Sequence, residues 1–273
     1  MLMRKIFFIL MNLVQVSAFA QITSSIPTSS SIANTSVSDL KHWSPFHNPA
    51  CLSAKIIPQL GFIFENRYIT TALAEKCLYL TYPVNHFVAA FSAMHQGFSL
   101  YHEILLGLSV SRNFSERFSL GVQFNYHTVY FAPSNAYYAI IYPQIGLIIP
   151  IENSFRLGFH VSNPFGSHIK GETQTKYLPA VFSLGCAYDF SPEFCWRFQA
   201  DKEIRSNYRF ASAFDYYMTN QTRFQLGAYV HEFLVPCMGF GFKLSPFTFD
   251  LLTELHPLLG LNTIAQIQYC INR

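Results

Sequence analysis

The sequence predicts an all-β protein: a transmembrane antiparallel β-barrel of about 14 strands. Three observations predict this class. Segments of about ten residues alternate between apolar and small or polar side chains, and turn signals separate them. Charged residues make up only 12% of the chain, about half the share of a soluble domain, and aromatic residues make up 17%. Something other than water must therefore cover much of the surface.

The clearest alternating segment is 118–127. Successive side chains of a strand point to opposite faces. The apolar face carries Phe118, Leu120, Val122, Phe124 and Tyr126, and the other face carries Ser119, Gly121, Gln123, Asn125 and His127. No segment keeps a helical period with caps, so helices are at most minor. A β-sandwich packed with aromatic rings would also alternate, but it would need a charged outer face.

We expect strands at 58–66, 74–83, 86–94, 102–113, 118–129, 139–150, 155–162, 180–190, 194–203, 208–218, 222–231, 236–244, 248–255 and 263–271. Every second connection is short: 84–85, 114–117, 151–154, 191–192, 219–221 and 245–246. The others are expected to be mostly longer: 67–73, 95–101, 130–138, 163–179, 204–207, 232–235 and 256–262. This plan, with both termini on the short-turn side, is typical of outer-membrane barrels. It predicts the outer membrane of a Gram-negative-type bacterium.

The N-terminal region predicts export. Arg4 and Lys5 precede a short apolar run, and small residues at 17–20 offer a cleavage site, so 1–20 reads as a signal peptide. The apolar run is shorter than the roughly 20 residues that span a bilayer. We expect 57–273 to form the barrel and 21–56 to form a separate segment before it.

The charge balance bears on partners. Removing Arg4 and Lys5 leaves 18 − 2 = 16 basic against 15 acidic residues, a net charge of +1. Nucleic-acid binding requires a concentrated basic patch, so we expect no nucleic-acid partner. Outer-membrane lipid is the expected surroundings.

Six cysteines are scattered along the chain without paired spacing: Cys51, Cys77, Cys186, Cys195, Cys237 and Cys270. Disulfides are compatible with an oxidising compartment. Small apolar fillers on strands are the favoured interpretation. Zinc ligation is disfavoured because the paired spacings of structural sites are missing. The ten histidines show no metal-ligand spacing either, and we expect no metal and no cofactor.

The stretch 38–52 carries a family resemblance. It contains Asp39 and ends in Asn48-Pro49-Ala50-Cys51-Leu52, and it resembles the Asp…Asn-Pro-Ala-x-Leu motif of FadL-type and PorV/PorQ-type outer-membrane proteins. In those families the motif lies in the segment that leads to the first strand and plugs the barrel, so the resemblance implies that 21–56 is a short N-terminal plug segment, or hatch. Thinner resemblances at 64–68, 161–164 and 256–261 extend the match over most of the mature chain.

Two features depart from those families. The mature chain is short for a FadL-type transporter, which implies a reduced plug and reduced outer loops. The last strand has Tyr269 followed by 270–273, whereas family members usually end on the aromatic residue. The match to the assembly signal is therefore imperfect.

The resemblance implies transport or binding of a hydrophobic or envelope-associated ligand and no enzymatic activity. The alternative is a scaffold or secretion-system barrel subunit without transport, which meets an envelope protein through its long loops, chiefly 163–179. Fold alone does not decide between them.

Two groups are candidate site residues. The plug candidates are Asn48, Pro49 and Ala50, where proline biases the preceding residue toward extended geometry and gives a tight turn. The lumen candidates are inward-facing charges: Arg197, Asp201, Glu203, Arg209, Asp215 and Arg223. They read either as a lining for a solute path or as salt-bridged filler that holds the barrel round.

Residues 160–163 resemble an enzyme motif. His160-Val161-Ser162-Asn163 resembles the His-x-Ser-Asn of outer-membrane phospholipase A, in which histidine activates a serine nucleophile. The alternation 155–161 places apolar side chains toward lipid and turns His160 and Ser162 into the lumen, away from lipid substrate. Pro164 also replaces the expected glycine. A hydrogen-bonded lumen pair is the favoured interpretation.

Overall fold

Fourteen strands close into one antiparallel barrel in the computed structural model, which describes residues 31–115, 117–132, 135–170 and 175–271. The expected signal peptide lies outside the described residues. The strands are β1 (Gln59–Asn66), β2 (Glu75–Val84), β3 (Phe87–Phe98), β4 (Tyr101–Phe114), β5 (Phe118–Phe131), β6 (Ala136–Pro150), β7 (Phe155–Ser162), β10 (Val181–Asp189), β11 (Phe194–Glu203), β12 (Tyr208–Tyr217), β13 (Thr222–Val230), β14 (Leu234–Leu244), β15 (Phe247–His256) and β16 (Gly260–Cys270). A separate hairpin, β8 (His168–Lys170) and β9 (Thr175–Tyr177), lies in the β7–β10 connection.

Barrel closure joins the two ends of the chain's β region. β1 pairs with β16 from Gln59 opposite Cys270 to Asn66 opposite Thr263. Each strand pairs with both of its neighbours, so the sheet has no edge strand. An unpaired backbone N–H or C=O group in hydrocarbon costs several kcal/mol, so an open sheet edge would be unstable there.

Alternation along the strands separates a lipid face from a lumen face. In β4 and β5, Leu108 is 63% exposed and Phe124 is 58% exposed, whereas their neighbours Ser109 and Gln123 are buried. The same two-residue period holds in the burial pattern of most barrel strands. Within the described ranges, no helix is long and apolar enough to span a membrane.

The connections differ from expectation at the end opposite the short turns, which we call the loop end. Five of the seven connections expected there to be mostly longer have only two to four residues: 99–100, 132–135, 204–207, 231–233 and 257–259. Strands such as β3 and β4 extend to Phe98 and Tyr101, and β15 and β16 extend to His256 and Gly260. Strand pairing continues to these ends, since Phe98 lies opposite Tyr101 and His256 opposite Gly260. Only the 67–74 and 163–180 connections remain long. The other end, where β1 begins, β16 ends and the short turns lie, is the turn end.

β6 outruns its neighbour β7. The register between them ends at Gln144 opposite Ser162, while β6 continues to Ala136 paired with β5. Pro143 sits where the β6–β7 pairing ends, and its carbonyl accepts from the Asn163 N–H (3.1 Å). Proline has no N–H to pair, so it suits this position. The long β7–β10 connection begins here.

Residues 31–56 lie inside the barrel, and we call them the luminal segment. Two short 3-10 helices shape it: η1 (Ile32–Asn34) and η2 (Pro49–Ala54). Its apolar side chains Trp43, Phe46 and Leu52 are at most 3% exposed and join wall residues in the core. The molecule's core is therefore the filled lumen.

Candidate functional site

The luminal segment crosses the lumen and contacts opposite walls. η1 packs against β12, β13 and β14, and η2 packs against β4, β5 and β6. Between these helices the chain meets β7 and β11 through hydrogen bonds. The segment and its surrounding wall form the candidate site.

A buried ion-pair triad holds the segment's first half. The Arg197 guanidinium on β11 donates to Asp39 Oδ2 (2.7 Å) on the segment and to Asp215 Oδ2 (2.6 Å) on β12. A second bond reaches Asp215 Oδ1 (3.0 Å), and Nε donates to Thr35 Oγ1 (3.1 Å). The three charged side chains are at most 1% exposed. Removing one partner would strand buried charge.

Asp39 also organises its own turn. Its Oδ1 accepts from the backbone N–H groups of Lys41 and His42, both at 3.0 Å, and its Oδ2 accepts from Ser31 Oγ at 2.6 Å. Burial alone would raise the pKa of Asp39, but the charge of Arg197 and the side-chain hydrogen bonds from His42 and Ser31 hold it well below its usual value. Asp39 is therefore an ionised anchor.

His42 links the segment to the wall near the turn end. Its Nδ1 faces Asp39 Oδ2 (3.2 Å), and its Nε2 lies within hydrogen-bond reach of Arg223 and of the Tyr217 hydroxyl (3.3 Å). Burial and the Arg223 charge lower the pKa of His42, although Asp39 opposes them. Arg223 in turn donates to Asp250 Oδ1 (2.6 Å) on β15. A neutral imidazole with the proton on Nδ1 fits both neighbours.

Further polar bonds fix the middle of the segment to the wall. The Arg156 Nε donates to the Ser38 carbonyl (2.8 Å), and the Val37 N–H donates to Gln199 Oε1 (3.0 Å). Arg156 also pairs with Asp189, whose Oδ1 lies 3.6 Å from Lys41 Nζ. The polar attachments of residues 33–42 thus come from β7, β10, β11, β12 and β13.

The Asn-Pro-Ala turn begins η2. Asn48 is the N-cap residue, and its Oδ1 accepts from the Ala50 N–H (2.9 Å) while Pro49 occupies the first helical position. Both are favoured at a helix start. The Asn48 Nδ2 donates to the Val37 carbonyl (2.6 Å), which ties the two halves of the segment together. On the wall side, Ser111 Oγ donates to the Ala50 carbonyl (3.2 Å).

Inward-facing glycines let the segment approach the wall backbone. A Cβ at Gly146 on β6 would collide with Asn48, and one at Gly121 on β5 would collide with the Pro49–Ala50 peptide. Gly158 on β7 faces the Val37 carbonyl in the same way. Gly121 and Gly146 are direct cross-strand partners, so together they form one side-chain-free strip under the turn.

The other side of the segment meets an apolar wall. Trp43 packs edge-on against Tyr79 of β2, with ring centroids 5.7 Å apart. Phe46 lies over Gly107 of β4. Buried wall residues that complete this surface are Ile63, Cys77, Met94, Leu105, Leu252 and Ile264. We call the contact between Trp43, Phe46 and this wall the apolar seam.

The β7–β10 connection closes the loop end of the lumen. Ile169 and Leu178 are each 4% exposed and belong to the core. Lys176 forms an ion pair with Glu103 of β4, which also accepts from His127 Nε2 (2.7 Å) and the Tyr101 hydroxyl (2.5 Å). Part of the longest connection is therefore committed to the lumen, although Phe165 remains 80% exposed.

The expected lumen charges divide by role. Arg197, Arg209 and Arg223 each contact the luminal segment; for Arg209 the contact is a bond to the Ala33 carbonyl (2.5 Å). Asp215 and Asp201 pair with Arg197 and Arg209 (2.6 and 2.7 Å). Glu203 is half-buried at the loop end of β11 and forms no salt bridge with the described residues.

Sequence reasoning missed the partners contributed by the segment and by other strands: Thr35, Asp39 as an ion-pair residue, His42, Arg156, Gln199 and Asp250. Asp39 and His42 offered a signal, because they are ionisable groups in a segment rich in serine and threonine. The pairing between the segment and the wall offered no signal, since these partners are more than 100 positions apart.

Asp39, His42 and Asp215 bring ligand-type atoms within 4.8 Å of one another. Arg197 already donates to both carboxylates, and Arg223 faces the imidazole. A divalent cation would meet two guanidinium groups at this position. The donor set is therefore an ion-pair network and does not suit a metal.

Comparison with solved structures identifies the fold. The CymD monoaromatic hydrocarbon channel aligns with a TM-score of 0.61 at 12% identity, covering 83% of this chain and 92% of that one. A Pseudomonas aeruginosa FadL homologue gives 0.60 at 12% identity, covering 83% and 93%. The Pseudomonas putida toluene transporter TodX gives 0.59 at 9% identity, covering 85% and 93%.

The chain has the fold of a FadL-type outer-membrane barrel. The expected fold class is confirmed, including the number of barrel strands. No protein-family model matches the sequence, and no curated protein sequence matches it.

In this FadL-type barrel the phospholipase pattern faces inward. His160 and Ser162 are 3% and 2% exposed on the lumen side of β7. The His160 Nε2 pairs with Gln144 Oε1 (3.1 Å) on β6, and Ser162 has no side-chain hydrogen bond within the described chain. A histidine bonded to an amide instead of the serine does not form a nucleophile–base pair.

All six cysteines are free thiols. Cys51, Cys77, Cys195 and Cys237 are buried on the lumen side or on the segment. They pack as small side chains, in agreement with the favoured interpretation of the sequence.

Proposed function

We propose that this chain conducts a small hydrophobic solute across the outer membrane, with residues 31–56 as a plug that stays anchored on one side and yields on the other. The observation that carries the proposal is the two-sided contact of the luminal segment. The ion pairs and polar bonds of residues 33–42 go to β7, β10, β11, β12 and β13, whereas Trp43 and Phe46 pack on the apolar wall of β1 to β4, β15 and β16.

The two sides respond differently to a solute. Breaking the Asp39–Arg197 contact would leave buried charge without a partner, at a cost of about 3–5 kcal/mol. Separating Trp43 from Tyr79 removes only apolar contact, and an apolar solute would replace that contact as it passes. Opening the apolar seam therefore costs less free energy than breaking the polar contacts, and the solute is expected to pass along the seam.

The apolar seam also contains polar atoms that a solute could use. Trp43 Nε1, Thr81 Oγ1 and Gln266 Oε1 are buried without a hydrogen-bond partner among the described residues. Gln266 Nε2 donates to the Tyr79 hydroxyl (2.9 Å), which places this group beside the aromatic pair. A mostly apolar ligand with one polar group matches such a lining.

The structural neighbours are compatible with this proposal. Two of them are described as a monoaromatic hydrocarbon channel and a toluene transporter. Those descriptions belong to proteins about 9–12% identical to this chain, so they supply a probe for the test and no ligand assignment.

The plug is tested by deleting residues 40–52 and measuring toluene uptake and ion conductance in proteoliposomes. We expect both rates to rise, because the deletion removes the seam half of the segment. Folding of the deleted barrel is checked by its β-rich circular dichroism in detergent. A folded barrel with unchanged permeability would contradict the plug.

The apolar seam is tested by substitution. Tyr79→Ala should raise the toluene rate several-fold, whereas Tyr126→Ala, an outward-facing aromatic residue that is 44% exposed, should leave it unchanged. Equal effects of the two substitutions would rule out a path along Tyr79.

A disulfide on the polar side shows which part of the segment moves. A Cβ at Gly185 would lie 3.3 Å from the Val37 Cβ, close to the roughly 3.5–4.5 Å of disulfides. The oxidised Val37→Cys/Gly185→Cys protein should retain wild-type uptake, with each single variant as control. Loss of uptake on oxidation, restored by reductant, would show that the whole segment leaves and would contradict passage along the seam.

A further inference from the structure

The carboxylates of the barrel wall are confined to its lumen face. In the barrel strands that the structure describes, every carboxylate occupies a lumen-facing position: Glu65, Glu75, Glu103, Asp189, Asp201, Glu203, Asp215, Asp250 and Glu254. The outward-facing lysine, arginine and histidine residues of the same strands are Lys76, His95, His102, Arg112 and Lys202. The lipid-facing wall thus has cationic and imidazole groups without compensating carboxylates.

Three of these residues form one group at the loop end. Lys76 on β2 lies directly opposite His95 on β3. The His95 and His102 rings stack with centroids 5.7 Å apart, and His102 lies on β4. Lys76 and His95 are exposed, and His102 is half-buried. We call Lys76, His95 and His102 the rim patch.

Aromatic rings extend the rim patch sideways. The His102 ring stacks on Tyr130 of β5 at 4.8 Å, and Tyr130 meets Tyr137 of β6 at the same distance. Tyr137 is 63% exposed. Below this row, toward the turn end, the outward positions are apolar, with Leu78, Phe91 and Leu108 between 44% and 63% exposed. The row therefore lies at the boundary between the apolar band and the loop end.

That boundary is where lipid headgroups meet a barrel. The loop end is opposite the start of β1 and the end of β16, and in outer-membrane barrels the side with the longer loops is extracellular. Aromatic girdles mark the two interfaces. A lysine ammonium and imidazole N–H groups at this level would meet the phosphates of the outer leaflet.

We propose that the rim patch binds a phosphorylated glycolipid of the outer leaflet, with Lys76, His95 and His102 contacting phosphate and Tyr130 and Tyr137 packing against a sugar ring. Three donors spread over β2, β3 and β4 span two strand spacings, or about 10 Å. That is wider than one phosphate group needs. The adjoining tyrosine faces suit a flat, partly apolar ring, which a simple phosphodiester headgroup lacks.

Lys202 is the matched comparison on the same rim. It faces outward on β11, but its Nζ donates to the Ser206 carbonyl (2.7 Å) and lies over the Tyr208 ring (4.7 Å to the centroid). Its positive charge is thus already engaged by its own loop. A general attraction of cations to an anionic surface would involve Lys202 as much as Lys76.

The test uses the full-length barrel in phosphatidylcholine nanodiscs that contain either bisphosphorylated lipid A or phosphatidylglycerol at equal charge. Native mass spectrometry of the released protein measures retained lipid. We expect the wild type to retain lipid A. The Lys76→Gln/His95→Gln/His102→Gln variant should retain at least tenfold less lipid A, and Lys202→Gln should retain an amount within twofold of the wild type.

Three results would overturn the proposal. They are unchanged lipid A retention by the triple variant, an equal loss in Lys202→Gln, and retention of phosphatidylglycerol as strong as that of lipid A. Monophosphoryl lipid A should bind more weakly than the bisphosphorylated form, and equal binding would also count against it. Thermal unfolding of the triple variant without lipid A, expected to match the wild type, separates lost binding from lost folding.

Discussion

At the scale of single residues, Arg197 pairs with two buried carboxylates, Asp39 on the luminal segment and Asp215 on β12. It carries the only positive charge between Asp39 and Asp215 in the described triad, and all three groups are at most 1% exposed. Burying an ion pair gains little over an apolar core, but removing one member leaves an uncompensated charge. The triad therefore specifies where the luminal segment docks more than it adds stability.

Arg197→Gln should destabilise the docked segment by about 3–5 kcal/mol, because two buried carboxylates lose their partner. The measurement is the rate of trypsin cleavage at Lys41 in detergent, followed by intact mass. Arg209→Gln is the graded control, since the Arg209–Asp201 pair is 17% and 13% exposed and should cost less.

A neutral replacement separates charge from packing. Combining Arg197→Met with Asp39→Asn and Asp215→Asn should recover much of the protection, because no buried charge is then left unpaired. Equal cleavage rates in Arg197→Gln, Arg209→Gln and the wild type would show that the triad does not hold the segment.

At the scale of elements, the wall and the segment fit through backbone contact as well as side chains. The Gly121–Gly146 strip on β5 and β6 leaves room for the Asn48-Pro49-Ala50 turn, and the turn's own N-cap holds it in shape. The small inward positions of β5 and β6 thus contact one particular turn of the luminal segment. The close contact depends both on the glycines in the strands and on the shape of the turn.

Gly146→Ala should loosen the turn, because a methyl group there collides with the Asn48 side chain that holds Ala50 and Val37. Overpacking typically costs about 1–3 kcal/mol. The readouts are the thermal unfolding midpoint in detergent and trypsin cleavage at Lys41 and Lys55.

Gly185→Ala is the comparison for this substitution. It is also an inward glycine, but its added methyl group would meet atoms no closer than 3.2 Å. We expect a smaller effect there. A Gly146→Ala protein as stable and as protected as Gly185→Ala would contradict the close fit.

At the scale of the whole molecule, the outer and inner faces of the barrel have different surroundings. Outward positions such as Leu108 and Phe124 meet hydrocarbon, while the lumen is filled by the segment, by ion pairs and by the β7–β10 connection. Closure of β1 on β16 gives every barrel strand two paired neighbours. Depth in the bilayer should therefore govern the cost of an outward charge.

Leu108→Arg, in the middle of the apolar band, should destabilise the barrel by about 2–4 kcal/mol, whereas Leu258→Arg in the β15–β16 connection should cost about 0–1 kcal/mol. Both side chains are more than 60% exposed, so exposure alone predicts no difference. Urea unfolding in lipid vesicles measures the two values. Equal costs would contradict the assignment of Leu108 to the bilayer.

The sequence by itself determined the number and spacing of the barrel strands, the lipid face of each and the inward direction of Arg197, Arg209, Arg223, His160 and Ser162. These follow from the two-residue period and from turn residues, which are local in the chain. It also indicated the Asn48-Pro49-Ala50 turn, whose cap geometry involves only neighbouring residues.

Only the tertiary structure decided which groups meet across the lumen. Asp39 reaches Arg197 over 158 positions and Val37 reaches Gln199 over 162, and no period in the chain encodes such a pairing. The short loop-end connections and the inward fold of 168–178 also depend on neighbouring strands and on Glu103, so local turn signals overestimated the loops. Closing a barrel fixes distances between residues far apart in sequence, and that constraint exists only once every strand has its partner.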